Sequence, residues 1–221
     1  MRGALVILRK DLRIEWRTRE MLATLIALGV VLVFTLTVAH DPTPAAAATL
    51  APSVMWAAFV FTGLLGIQRS FLVEREQDCL ASLISAPIDP AAIYVGKLLG
   101  NVLLLAAMQA VVVPLVALLL HVDLAPVLPE LVLVLGLGNL GFAAVSTLFA
   151  AVTARLRTRE MLLPIIVLPV VVPLVIGAVK ATEGVLAGGL TAAGQAVGVV
   201  VAFDVIFVVS GWLLFPAVVV D

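Results

Sequence analysis

The chain has 221 residues, of which 63% are hydrophobic and only 12% are charged, and its formal net charge is −1. Soluble domains carry about 25% charged residues, and a chain of this length has too little interior to hide so much apolar surface from water. The composition therefore predicts an all-α membrane protein and leaves no room for a separate soluble catalytic domain. The single cysteine, Cys79, excludes an intramolecular disulfide and any CxxC metal or redox pair.

Residues 1–20 hold six of the 13 Lys and Arg residues. Leu5, Leu8, Leu12 and Trp16 recur at steps of three and four, which gives a helix one apolar face with the arginines elsewhere around it. This pattern is typical of a helix that lies in the membrane interface with its basic side chains towards the lipid headgroups. A solvated helix packed on another helix is the alternative.

Six apolar runs are long enough to cross a bilayer, since a transmembrane helix uses about 20 residues. We predict spans over residues 21–39, 50–67, 98–120, 131–152, 161–179 and 197–220, which make residues 1–221 a single transmembrane domain. The first run is too long for a signal-peptide core of about 7–15 residues, so we expect it to be retained. Pro164, Pro169 and Pro173 predict a kink in the fifth span. The Gly- and Ala-rich residues 180–195 predict a short re-entrant or surface helix.

The basic residues lie almost entirely on one side of the predicted spans. Six are in the N-terminal region, three in residues 68–97 and three between the fourth and fifth spans, so that 12 of the 13 share a side. The positive-inside rule assigns that side to the cytoplasm. Because the number of spans is even, both termini are expected in the cytoplasm.

No motif for ATP binding, metal-dependent hydrolysis or a nucleophilic serine is present, so any ATP must be bound by another chain. Gly136, Gly138 and Gly141 do fit the dinucleotide pattern G-x-G-x-x-G, with Glu160 at about the right distance beyond. They lie inside a predicted span, however, where small residues more often let helices approach closely. Asn139 would then be placed to form a hydrogen bond across that interface.

Residues 68–97 form the only long polar segment between two predicted spans. Apolar side chains recur in it at helical spacing, which predicts a short amphipathic helix that ends at Pro87 and Pro90. It would carry the charged residues Arg69, Glu74, Arg75, Glu76 and Asp78 and the apolar residues Phe71, Leu72, Cys79 and Leu83. Such a helix, joined rigidly to two spans, could receive a push from a cytoplasmic partner. A solvated loop whose charges fix the topology is equally open.

Three further polar residues are candidates for function. Asp204 is an acid well inside a span, and an intramembrane acid is by default a functional-site hypothesis. We favour a structural hydrogen bond to a neighbouring helix or loop, with the residue close to the outer end of the span and within reach of water. His40 and His121 follow the first and third spans at the outer face, where imidazole could ligate haem iron. An ordinary polar residue at a helix end is the alternative for both.

Blocks along nearly the whole chain carry a family resemblance. They are Arg9 to Arg13 (RKDLR); Gly66 to Phe71 (GIQRSF) with Glu74 to Glu76, Ala86-Pro87 and Ile93 to Asn101 (IYVGKLLGN); Arg159 to Pro164, continuing through Pro169 and Pro173 to Thr182; and Phe203 to Phe207 (FDVIF). Together they resemble the CcmB family, also called haem exporter protein B, which forms a membrane component of the cytochrome c maturation ABC transporter.

The resemblance implies a six-span protein of ABC-2 exporter type in the cytoplasmic (inner) membrane of a bacterium. It implies partners: an ATP-hydrolysing A subunit, the C and D subunits and the haem chaperone E, in a complex that delivers haem to c-type cytochromes. Residues 68–97 would be the coupling segment, whose contacts with the ATPase are Arg69, Phe71, Glu74, Arg75, Glu76, Cys79, Leu83 and Pro87. Haem is expected as a substrate, with no intrinsic cofactor, no resident metal and no nucleic-acid partner. A permease for a lipid, glycan or drug and a non-conducting scaffold that transmits ATPase motion are the alternatives.

Overall fold

The structure is a computed structural model, and it describes residues 2–40, 43–76, 90–153 and 159–220. Within these ranges the chain is helical and contains no β-strand. The helices are α1 (Arg2–Thr18), α2 (Glu20–His40), α3 (Pro44–Glu76), α4 (Pro90–Leu120), a short 3-10 helix (Ala125–Val127), α5 (Leu128–Thr153), α6 (Arg159–Gly188) and α7 (Leu190–Val220).

Helices α2 to α7 are each long and apolar enough to cross a membrane, which confirms the predicted all-α architecture with six spans. Several helices continue beyond the predicted spans, because a helix does not need to end where its apolar run ends. Helix α3 extends to Glu76 and α4 begins at Pro90, so both reach into the polar segment 68–97. The first and last parts of that segment therefore prolong two spans instead of forming a separate helix. Residues 77–89, including Cys79, Leu83 and Pro87, lie outside the described residues.

The Gly- and Ala-rich segment 180–195 differs from the prediction of a re-entrant or surface helix. Helix α6 continues to Gly188 and α7 begins at Leu190, so the segment is a tight hairpin between two spans. Gly189 makes the turn with a φ of +74°, and its N–H bonds the carbonyl of Val185 at 3.0 Å. A Cβ at Gly184 would lie 2.8 Å from the Cα of Ala193, so glycine is what allows the two helices to meet there. Gly184 is therefore a residue of close packing, whereas Gly189 ends α6.

Helix α5 is the centre of the bundle. Eight consecutive residues, Gly141 to Leu148, are all buried, which is expected only of a helix that is surrounded by others. It packs on α4, α6 and α7 and reaches α3 through Phe142, which lies edge-on to Phe59 with ring centroids 5.1 Å apart. Helices α2 and α7 expose large apolar side chains along their outer faces, as lipid-facing helices do.

Candidate functional site

An ion pair fastens α1 to the first turns of α4. The Nζ of Lys97 lies 2.8 Å from Oδ2 of Asp11, and the Lys97 side chain is only 4% exposed. Lys10 approaches the other carboxylate oxygen, Oδ1, at 3.2 Å from the more exposed side. Ala4 and Ile7 continue the same buried face of α1. The N-terminal helix is therefore held to α4 close to where that helix leaves the polar segment.

Gly96 allows this close contact. A Cβ at Gly96 would lie 2.9 Å from the backbone carbonyl oxygen of Ala4 and 3.0 Å from Ile7, so any larger residue would push α1 away. A neighbouring side of α1 exposes Leu5 and Leu12, both of which belong to the predicted apolar face. Helix α1 thus packs on another helix and also keeps apolar side chains exposed, an arrangement that suits the membrane interface.

The predicted coupling residues are only partly within the described structure. Arg69, Phe71, Glu74, Arg75 and Glu76 belong to the last turns of α3, whereas Cys79, Leu83 and Pro87 lie outside the described residues. A Cβ at Gly63 of α3 would lie 3.0 Å from Leu105 of α4. Beyond this contact α3 and α4 each continue for about 20 Å at 1.5 Å per residue. Both helices therefore extend towards the end of the bundle where α1 is fastened, and α4 remains packed there, with Ala91, Ile93 and Tyr94 buried.

The two histidines occupy helix ends. His40 is the last residue of α2, and its Nδ1 lies 2.8 Å from the carbonyl oxygen of Leu36. His121 follows α4 with a φ of +54°, the left-handed conformation that commonly ends a helix. Both side chains are exposed. Among the described residues no group of three His, Cys, Asp or Glu side chains could hold a metal ion, and haem ligation by either histidine stays a prediction.

Buried amide side chains form two sets of hydrogen bonds, called amide rungs below, between the antiparallel helices α4 and α5. Asn139 donates from Nδ2 to the carbonyl of Val102 at 3.0 Å and to Oε1 of Gln109 at 3.4 Å. Asn101 donates from Nδ2 to Oγ1 of Thr147 at 2.9 Å. The Asn139–Gln109 and Asn101–Thr147 bonds are eight residues apart on each helix, so they fix one register between α4 and α5. Sequence reasoning singled out Asn139 and missed its partners, because which helices pair is not visible in hydropathy.

The glycines of the G-x-G-x-x-G pattern lie inside α5, without the strand and turn that a dinucleotide site needs. Gly136 has open space beside it, whereas a Cβ at Gly138 would overlap the indole ring of Trp56 and one at Gly141 would overlap Oδ1 of Asp204. Gly138 and Gly141 therefore allow α3 and α7 to pack closely on α5.

Trp56 is buried, and its indole N–H donates to Oγ1 of Thr182 at 2.9 Å. The Thr182 hydroxyl in turn donates to the carbonyl of Ala178 at 2.8 Å, so the indole donor is satisfied inside the bundle. The ring meets Phe59 edge-on with centroids 5.2 Å apart. This bond joins α3 to α6, and nothing in the spacing of the two residues along the chain indicated it.

Asp204 does not lie near the outer end of its span, as the sequence suggested. It stands fourteen residues after Leu190 in a helix of 31 residues, which is close to the middle, and it is 4% exposed. The difference arises because α7 begins seven residues before the apolar run was expected to begin. Among the described residues neither carboxylate oxygen has a hydrogen-bond partner, so the expected hydrogen bond to a neighbouring helix is not found there.

Comparison with known proteins decides the family. The model of the family described as CcmB protein matches residues 2–219. The chain belongs to the CcmB family. The CcmB match covers all the described residues except Val220, from the contact of α1 with α4 to Asp204 and the last turns of α7.

Curated relatives agree with the CcmB assignment. The chain is 29% identical over 182 residues to heme exporter protein B of Paracoccus denitrificans, an alignment that covers 82% of this chain and 83% of the relative. It is 29% identical to heme exporter protein B of Rhodobacter capsulatus, over 80% of this chain and 82% of the relative. The protein of the same name from Bradyrhizobium diazoefficiens is 27% identical, over 84% of this chain and 83% of the relative.

Proposed function

We propose that this chain is the transmembrane component of an ABC transporter complex that exports or delivers haem during c-type cytochrome biogenesis. The observation that carries the proposal is the CcmB family match over residues 2–219, together with relatives named heme exporter protein B. In this proposal the chain is not an enzyme. ATP is bound by a separate A subunit, the C and D subunits and the haem chaperone E complete the complex, and haem is the substrate.

The membrane placement follows the same proposal. The six spans lie in the cytoplasmic membrane of a bacterium, with both termini in the cytoplasm. The distribution of 12 of 13 basic residues on one side supports this orientation. The ends of α2 and α4, at His40 and His121, and the turn at Gly189 then face outwards. His40 and His121 are candidates for contact with haem at that face, and replacing both should alter the haem spectrum of the purified complex if they take part.

The coupling step is the movement of α3 and α4 by the ATPase. Both helices continue without interruption from the membrane core into the polar segment, to Glu76 and from Pro90. A continuous helix transmits a push along its axis because each turn is hydrogen-bonded to the next. Helix α1 would move with α4 because the Asp11–Lys97 pair joins them, and α5 would move with α4 because the two amide rungs join them. ATP-driven closure of the A subunits would thus move α1, α3, α4 and α5, the change that releases the haem-loaded chaperone.

Charge reversal in the coupling segment tests the proposal. Glu74→Lys and Arg75→Glu should leave the complex of this chain with its partners assembled but reduce ATP-dependent release of chaperone E by at least about tenfold, a loss of about 1.4 kcal/mol of coupling. Copurification measures assembly, and ATP hydrolysis and chaperone release are measured on the same sample. Glu183→Lys is the matched control, because it reverses an acid that pairs with Lys180 in the outer part of α6. Chaperone release at the unmodified rate in both coupling variants would overturn the assignment of the segment.

A further inference from the structure

Asp204 lies in a space that a glycine creates. A Cβ at Gly141 of α5 would overlap Oδ1 of Asp204 and would also lie 3.0 Å from Leu174 of α6. The carboxyl group therefore sits against bare backbone where α5, α6 and α7 meet. It is 4% exposed, and among the described residues neither of its oxygens has a hydrogen-bond partner.

On the described parts of the helices packed against α7, no basic side chain lies at the depth of Asp204. On α6, Lys180 pairs with Glu183 at 2.7 Å and stands six residues outwards from Leu174, or about 9 Å along the helix. On α5, Glu130 is eleven residues outwards from Gly141, or about 16 Å.

Helix α4 offers two titratable groups, both further inwards. The hydroxyl of Tyr94 packs against Gly211, which is seven residues, or about 10 Å, inwards from Asp204 along α7. Lys97 is close to Tyr94 along α4 and pairs with Asp11 of α1. Within the described structure the carboxyl of Asp204 consequently has no charged side chain beside it.

An ionised carboxylate in such a place is costly, because it has given up water without gaining a cation or a donor. A neutral carboxylic acid avoids most of that cost and can itself donate one hydrogen bond. The protonated form of Asp204 is therefore the favoured form in the packed structure. If α7 moved away from α5, water would reach the carboxyl and stabilise the ionised form instead.

We propose that Asp204 is a proton-binding site of the membrane domain, loaded while α7 packs on Gly141 and emptied when the two helices separate. On separation the O–H bond of the carboxylic acid breaks, the carboxylate keeps the electron pair, and the proton passes to water that enters between the helices. On repacking the carboxylate takes one proton from water. Separation of α7 from α5 is thus linked to release of one proton, so acidic conditions favour the packed arrangement and alkaline conditions favour the separated one.

Infrared difference spectroscopy of the full chain in lipid nanodiscs tests the loaded state. The wild-type minus Asp204→Asn spectrum at neutral pH should show the C=O stretch of a protonated carboxyl. The matched control Glu183→Gln, which replaces an acid in an ion pair, should instead remove a carboxylate band. A carboxylate band in the Asp204 difference spectrum would overturn the proposal. A pH titration of the same infrared band in the wild-type chain needs no variant: raising the pH should convert the C=O band of a protonated carboxyl into a carboxylate band, and the absence of any such C=O band at neutral pH would overturn the proposal.

The pH dependence of unfolding tests the linkage. Above about pH 5 an Asp in the unfolded chain is ionised, so unfolding releases the proton that the packed state holds. The unfolding equilibrium constant of the wild type should therefore rise about tenfold more per pH unit than that of Asp204→Asn, which corresponds to one proton. Identical pH slopes for the two proteins would show that no proton is linked to the packing of α7.

Discussion

The contact between Gly138 and Trp56 gives the sharpest test of the packing of α5. In Gly138→Ala the new Cβ would overlap the indole ring and lie 2.7 Å from its Cζ3. The ring has no room to retreat, because it is 1% exposed and is held by Phe59 and by the bond to Thr182. Gly138→Ala should therefore destabilise the protein even though alanine is the better helix former.

The magnitude follows from three contributions. Overpacking a dense core costs about 1–3 kcal/mol. If the indole shifts and its N–H loses the Thr182 hydroxyl, a buried donor without a partner costs about 1–3 kcal/mol more. The helix propensity of alanine returns about 1 kcal/mol. The net loss is on the order of 3 kcal/mol, which corresponds to a melting temperature lower by roughly 6–12 °C for a chain of this size.

The assay is thermal unfolding in nanodiscs, with Gly136→Ala as the matched control. Nothing lies within 4 Å of a Cβ at Gly136, two residues away on the same helix, so this variant should be unchanged or more stable by up to about 1 kcal/mol. In the double variant with Trp56→Phe the smaller ring should recover part of the loss, so the two effects should be less than additive. Equal melting temperatures for the two alanine variants would refute the reasoning.

Three further predictions concern other contacts. Asp11→Asn should lower the free energy of unfolding by about 1–3 kcal/mol because it removes the carboxylate that pairs with buried Lys97. Lys10→Gln should change that free energy by less than about 0.5 kcal/mol, and equal effects of the two variants would contradict a buried pair. Asn101→Ala should lower the free energy of unfolding by about 0.6–1.7 kcal/mol, the range for hydrogen bonds between membrane helices. In a double-mutant cycle, Thr147→Ala should destabilise the Asn101→Ala variant little further, because the bond is already lost. Gly189→Ala should lower the free energy of unfolding by about 1–2 kcal/mol, because its φ of +74° is unfavourable for a residue with a Cβ. Gly194→Ala, with nothing within 4 Å of its Cβ, should leave stability unchanged, and unfolding curves of the two variants test the difference.

The number of spans could be predicted from the sequence, because lipid demands about 20 apolar residues in each crossing helix. The role of the glycines in α5 could be predicted for the same reason, since a run of that hydropathy leaves no place for a solvated nucleotide loop. Both predictions rest on the solvent that surrounds the helix and need no knowledge of its neighbours. Helix ends were harder, because Gly189 stops α6 through its conformation and the residues before it remain helical.

The contacts between helices could not be predicted, because they join residues far apart along the chain. Trp56 and Thr182 are separated by 126 residues, and Asn101 and Thr147 by 46. Lys97 shows the same limit: its place in an apolar stretch indicates that it needs a partner, but only the packing of α1 identifies Asp11. The depth of Asp204 was mistaken because it depends on where α7 begins, and the hairpin at Gly189 sets that point.

Side-chain hydrogen bonds and ion pairs join some pairs of helices but, among the described residues, not α5 and α7. Side-chain hydrogen bonds or ion pairs join α1 to α4, α4 to α5 and α3 to α6. Among the described side chains of α7, Thr191 bonds the carbonyl of Gly188 across the hairpin turn, and none forms such a bond with α5. The buried acid of α7 faces a glycine instead. Separating α7 from α5 therefore breaks no side-chain hydrogen bond among the described residues and allows water to reach Asp204. The proton release proposed for Asp204 would therefore accompany this separation.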